Sequence, residues 1–178
     1  MDVPFPEPVA GAETGLGICT GAGVGAGVGA GTGAGTGAGV ATGAIAHAAL
    51  VAGAMELPLI YVRSSQKSHG MTNLIEGDIS VGKTVVVIED LVSTGGSSLN
   101  AVRALRDAGM EVLGMASIFT YGFPQAVENF RLAEVELVSL GNYHDLIEQA
   151  VLTGYIQPEF HKTLEGWRKD PARWTPES

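Results

Sequence analysis

The chain has 178 residues, 46% apolar and 16% charged, with 19 acidic against 10 basic side chains and a net charge of −9. That length suits one domain with a sizeable core, and the negative field argues against non-specific nucleic-acid binding. One cysteine, Cys19, rules out an internal disulfide and points to a reducing, cytoplasmic compartment.

The start, MDVPFPEPVAGAE, lacks the basic end and apolar core of a signal peptide. No stretch reaches the roughly 18 to 20 apolar residues of a membrane helix. From Gly21 to Gly39 every odd position is Gly, and the even positions hold only Ala, Val or Thr. A G-x-G-x-x-G fingerprint needs glycines of both parities, so none is present. Glycine loses the most backbone entropy on ordering and has no side chain to pack. Residues 1–38 are therefore expected to be a poorly ordered low-complexity segment, with at most an edge strand just before Val40, and the folded domain to span 39–178.

Beyond Gly39 the pattern becomes ordinary. GAIAHAALVAGAMEL suits a small-residue helix with His47 packed, and PLIYVR suits a buried strand. RSSQKSHGMTNLIEGDIS is polar and turn-rich, so residues 63–80 are expected as a long loop. KTVVVIED is a β-branched run of central-strand type. SSLNAVRALRDAG reads as a helix stopped at Gly109. EVLGMASIFTYG, PQAVENFRLAE, VELVSLGN and YHDLIEQAVLTGY read as strand, helix, strand and helix. The tail, PEFHKTLEGWRKDPARW, reads as a short amphipathic helix with Trp167 and Trp174 packed on the body. This alternation predicts an α/β fold: an open, mostly parallel sheet with helices on both faces.

Two phosphate-loop candidates are separated by only four residues, 85–88. GDISVGKT (77–84) fits G-x-x-x-x-G-K-[ST], but there the loop must leave a strand and open a helix. Here GKT runs into VVVIED, so it reads as the turn before a strand. EDLVSTGGSS has the required context, leaving a strand's C-terminal end and entering a helix. Ser93, Thr94, Gly95, Gly96 and Ser97 can offer successive amides and hydroxyls to a phosphate. Glu89 and Asp90 can accept hydrogen bonds from vicinal hydroxyls, so a sugar phosphate would satisfy both groups.

VVVIEDLVSTGGSS resembles the phosphoribosyl-pyrophosphate motif of type I phosphoribosyltransferases. The flanking LPLIYVRSSQKSHGMTNLIEGDIS and IFTYGFPQAVENF are similar to the orotate enzymes of that family, and the likeness extends from about Gly39 to Trp174. It implies a phosphoribosyltransferase domain over 39–178, transferring ribose 5-phosphate from phosphoribosyl pyrophosphate to orotate. It also implies Mg²⁺ bound mainly through the substrate, without an assigned protein ligand, and a cytoplasmic homodimer with shared active sites.

By the same resemblance, Glu89, Asp90, Leu91, Val92 and residues 93–97 would form the sugar-phosphate site. Ser93 would also lie near orotate. Ala41, Thr42 and Gly43 would form the pyrophosphate loop. Arg63, Lys67 and His69, in R-x-x-x-K-x-H-G, would bring positive charge to the pyrophosphate of the neighbouring subunit as the catalytic groups. Ser64 and Ser65 stand where many members have a further lysine. The Gly/Ala tract does not resemble the family's N-terminal hood over the base, nor the strand expected before GVATG. The motif alone also suits transfer to another base, and the missing hood suits a non-catalytic phosphoribosyl-pyrophosphate-binding protein.

Overall fold

The β-branched run in the middle of the chain becomes β4 (Thr84–Val92), and the other strands assemble around it. The computed structural model describes residues 35–63, 74–79 and 83–175. In chain order the elements are β1 (Thr36–Val40), α1 (Ala44–Ala54), β2 (Leu59–Val62), β3 (Ile75–Glu76), β4, α2 (Gly96–Asp107), β5 (Glu111–Thr120), α3 (Pro124–Leu132), β6 (Leu137–Asn142) and α4 (Tyr143–Leu152). A 3₁₀ turn (Pro158–Phe160) then leads into α5 (His161–Lys169). The six strands lie in the order β3-β2-β1-β4-β5-β6. All neighbours pair parallel except β3, which runs antiparallel to β2 at one edge.

Alternation along the strands assigns the faces. Val85 and Val87 of β4 point into the core that holds Leu99, Val102 and Leu105 of α2 and Phe130 of α3. Each of these side chains contributes about 1.5 to 3 kcal/mol if fully buried. The opposite face of β1 carries α1. On that face α1 covers β1 and its neighbours, while Ile118, Val138 and Leu140 on β5 and β6 remain exposed.

The glycine tract requires a correction. β1 is not an edge strand and the domain does not begin at 39: residues 36–38 form a fully buried strand, hydrogen-bonded between β2 and β4. The stabilisation comes from two ladders and from close helix approach, not from large side chains. A Cβ on Gly39 would meet the Ala48 Cβ at 3.0 Å, the Ile45 Cα at 3.2 Å and the Ala44 carbonyl at 3.3 Å. One on Gly37 would meet the Ala52 Cβ at 3.4 Å. Ala44, Ala48 and Ala52, spaced by one helical turn, are the buried face of α1. Small residues on both sides let helix and strand pack backbone to backbone. The expectation for residues 1–34 lies outside the described residues.

The tail folds as expected. Arg168 of α5 donates from Nε to the Tyr121 carbonyl and from Nη2 to the Gly122 carbonyl, both at 3.0 Å. Trp167 joins Tyr121, Phe123 and Tyr143 in an aromatic cluster with centroid spacings of 5.2 to 6.0 Å. Trp174 lines the neighbouring hollow of about 790 Å³ and is still 37% exposed.

Gly39→Val should destabilise the fold by about 1 to 3 kcal/mol, because α1 must move away from β1. Gly53→Ala, in the same helix with nothing within 4 Å of its added Cβ, should stabilise it by about 0.5 to 1 kcal/mol. Urea unfolding of the two variants against wild type measures both. Equal midpoints would refute the close-packing account.

Candidate functional site

Chain order and strand order together locate the site. From β1 the chain crosses through α1 to β2 on one side, and from β4 it crosses through α2 to β5 on the other. The direction of winding therefore reverses between β1 and β4. At such a switch point the two connections diverge and leave a crevice beyond the C-terminal strand ends. Two loops border it: residues 41–43 after β1, and residues 93–95 after β4.

The second loop enters α2 through Gly95, whose φ of +80° belongs to the left-handed region. A Cβ there would also lie 2.7 Å from the Phe130 ring, so conformation and space both demand glycine. Asn129 Nδ2 donates to the Thr94 carbonyl at 3.0 Å, turning that oxygen toward α3. The first amides of α2 have no acceptor within the helix, and with the hydroxyls of Ser93, Thr94 and Ser97 they form a donor-rich rim. Gly96, Ser97 and Thr94 are exposed and Ser93 is half-buried. Val92 is fully buried: it fixes the loop through its carbonyl, which accepts from the Tyr121 amide at 3.1 Å, while Leu91 is 41% exposed.

The two acids, read from the sequence as a pair, differ in setting. Glu89 points into the protein and is only 4% exposed. Its Oε2 accepts from Ser98 Oγ at 2.8 Å, and its Oε1 accepts from the Asp90 amide at 3.2 Å. Burial, with the neighbouring Asp90 adding to it, pushes the Glu89 carboxyl up to about 7 despite the Ser98 hydrogen bond. A strand places successive side chains on opposite faces, so Asp90 alone emerges on the crevice side. Its carboxylate accepts from the Leu91 amide at 2.9 Å and lies against the first loop. A Cβ on Gly43 would fall 1.9 Å from Asp90 Oδ2, so Gly43 is what lets the loops meet.

The first loop is exposed at Thr42 and Gly43 and half-buried at Ala41. The Ala41 amide donates to the Val62 carbonyl at 2.8 Å, continuing the β1–β2 ladder to the crevice edge. His47, expected to pack within α1, instead lies with Nδ1 3.2 Å from the Gly43 carbonyl, next to this loop. Arg63 stands at the end of β2, where its amide donates to the Leu74 carbonyl and its Nη1 is 3.4 Å from Glu76 Oε1. It shares a hollow of about 330 Å³ with Ser97, Asn100 and Arg103. Lys67 and His69 lie outside the described residues. Lys83 leads straight into β4, so the G-x-x-x-x-G-K-T match precedes a strand and cannot use a helix end.

Phe130, Asn129 and Ser98 support the site and were not visible as such in the sequence. Their partners lie 35, 35 and 9 residues away, and no local spacing announces them. Among the described residues, no helix is long and apolar enough to cross a membrane.

Comparison with known proteins adds three findings. Residues 38–137 match the family described as phosphoribosyl transferase domain. The orotate phosphoribosyltransferase of Phocaeicola vulgatus is 58% identical over 131 residues, which is 74% of this chain and 62% of that protein. This chain thus spans less than two thirds of that relative's length. The crystal structure of orotate phosphoribosyltransferase from Aeropyrum pernix is 32% identical, covering 69% of this chain and 67% of that one, with a TM-score of 0.61. The Mycobacterium tuberculosis H37Rv orotate phosphoribosyltransferase in complex with 5-phospho-α-D-ribosyl 1-diphosphate is 31% identical, covering 62% and 64%, with a TM-score of 0.52.

The buried carboxyl makes stability depend on pH. Between the ordinary value of 4.5 and about 7 the folded chain keeps a proton on Glu89 that the unfolded chain releases. That contribution is complete below the unfolded value and is lost as pH rises through about 7. Glu89→Gln has no proton to release. Its melting temperature relative to wild type should therefore rise between about pH 5 and about pH 8, and a constant difference in thermal melts would contradict a buried, protonated Glu89.

Proposed function

The chain belongs to the phosphoribosyl transferase domain family, and on that premise we propose that it transfers ribose 5-phosphate from phosphoribosyl pyrophosphate to orotate, giving orotidine 5′-monophosphate and pyrophosphate. The observation that carries this reading is the meeting of two loops at the β1–β4 switch point, with Asp90 against Gly43. A donor-rich rim, an acid and a second backbone loop are what a phosphate, vicinal hydroxyls and a pyrophosphate require.

In this reading residues 93–97 bind the 5-phosphate through amides and hydroxyls, where the helix N-terminus favours an anion. Asp90 accepts hydrogen bonds from the ribose hydroxyls, which are stronger for an ionised acceptor. The backbone of Ala41, Thr42 and Gly43 faces the pyrophosphate, and Ser93 lies toward the base. As the bond to pyrophosphate breaks, positive charge develops on the ribose and negative charge on the leaving group. Arg63, Lys67 and His69 are assigned to meet that negative charge and to exclude water.

Mg²⁺ fits as an ion held by substrate oxygens. Among the described residues one free carboxylate, Asp90, faces the crevice, and its role is with the sugar. The ion would supply charge neutralisation on the pyrophosphate, consistent with its preference for phosphate oxygens. The part of the polar segment that carries Lys67 and His69, between β2 and β3, is assigned as a lid over the neighbouring subunit of a cytoplasmic homodimer.

Orotate, uracil, hypoxanthine and adenine, each offered with phosphoribosyl pyrophosphate and Mg²⁺, test the reaction through pyrophosphate release. Release with orotate alone is expected. Binding of the sugar without turnover on any base would instead favour a non-catalytic binding protein. Asp90→Asn should weaken calorimetric binding of phosphoribosyl pyrophosphate about tenfold with the fold intact. Lys67→Ala and Asp90→Ala should each be inactive alone and regain part of the activity when mixed. Heterodimers without recovery would place the loop in its own subunit's site.

A further inference from the structure

Ser98 lies in the first turn of α2, just beyond the loop, and is 1% exposed. At a position so buried an apolar side chain would be the ordinary choice. A serine inside a helix also forgoes the N-cap position at which it is most favourable. Its hydroxyl instead crosses to β4 and donates to Glu89 Oε2 at 2.8 Å. The other oxygen of that carboxyl holds the Asp90 amide at 3.2 Å. Helix, buried acid and crevice acid thus form one chain of contacts beneath the loop. Both Glu89 oxygens thus have partners inside the protein.

We propose that Ser98 is a positioning residue of the crevice: its hydroxyl holds the Glu89 carboxyl under α2 and so sets the phosphate loop relative to the strand end that presents Asp90. The inference rests on the sugar-phosphate reading above and gives it a residue beyond 93–97, the ones assigned to the phosphate. Without the hydroxyl, a buried acceptor loses its partner and the first turn of α2 is no longer tied to β4 at this point. The role also has an electrostatic signature. The charge acting on Glu89 is that of Asp90 on its own strand, and the facing group from α2 is the neutral Ser98. Ionisation of Glu89 places a second negative charge behind Asp90, so affinity for an anionic ligand should fall as pH rises through about 7. Ser98 favours the ionised form, and its loss should move that transition to higher pH.

The test is calorimetric binding of phosphoribosyl pyrophosphate with Mg²⁺ to the full chain, from about pH 5.5 to about pH 8.5, with thermal melts over the same range. Ser98→Ala should bind about tenfold more weakly at the acidic end, and its break in affinity and melting temperature should lie above that of wild type. Glu89→Gln should show no break in melting temperature, and in affinity only the change that the ligand's own phosphates bring at about pH 6. Affinity and break both unchanged in Ser98→Ala overturn the positioning role, as does weaker binding with an unmoved break, which marks a merely structural loss. If Ser98→Ala fails to fold, Glu89→Gln decides: a wild-type break in that variant overturns the inference, and its absence supports it. Wild-type protein that binds no phosphoribosyl pyrophosphate would overturn the sugar-phosphate reading itself, and the role of Ser98 with it.

Discussion

The close contact between α1 and β1 is the constraint on which the site depends. Gly37 and Gly39 give the helix no side chain to rest on, so it settles against the strand backbone through Ala44, Ala48 and Ala52. That places the N-terminus of α1, and with it residues 41–43, directly beside β4. A larger residue at Gly39 or Gly43 would lift the helix or displace Asp90, and the two loops would no longer border one crevice. The entropy lost in ordering glycine is about 1 to 2 kcal/mol per residue or more. The ladders to β2 and β4 and the dispersion contacts of a close helix offset it.

The second half of the site is held from the opposite face. α2 and α3 pack on the side of Val85 and Val87, and from there Phe130 fills the space that Gly95 leaves while Asn129 fixes the Thr94 carbonyl. The loop is thereby aimed by side chains that approach no ligand. The acidic pair obeys the same geometry. Adjacent residues on a strand face opposite ways, so Glu89 and Asp90 cannot both open to the crevice. One is a buried acid whose carboxyl is pushed up to about 7, and the other faces the crevice beside Gly43. The pleat begins this division, and the hydrogen bond from Ser98 holds Glu89 on the inner side.

The C-terminal segment closes the structure by a different means. Arg168 caps the carbonyls of Tyr121 and Gly122, and Trp167 completes an aromatic cluster over the end of β5. The Tyr143 hydroxyl donates to the Leu164 carbonyl at 3.3 Å, joining α4 to α5. Edge-to-face and stacked rings add about 0.5 to 1.5 kcal/mol per pair beyond their burial, which helps a short helix hold a fixed place. The turn at Gly122, with φ of +62°, is where β5 gives way to this cluster.

Much of this was legible in the chain by itself. Period and punctuation specify β2 and the strands and helices from residue 84 onward, because a β-branched run and a helix ended by Gly109 are local signals; β3 (Ile75–Glu76) lies inside the segment read as a loop, since two residues are too few to show a period. The choice between the two phosphate loops was also local: a strand follows GKT, and a helix follows STGG. Tertiary structure alone decided three things. A glycine repeat reads as disorder when judged by side-chain burial, and only its position between two strands and under an alanine-faced helix makes Thr36–Val40 a central strand. The acids ED read as a matched pair until the pleat turns Glu89 inward against Ser98. Asn129 and Phe130 gain their part from a contact that spans 35 residues, which no spacing rule can reach, because it is set by the winding of the chain between them.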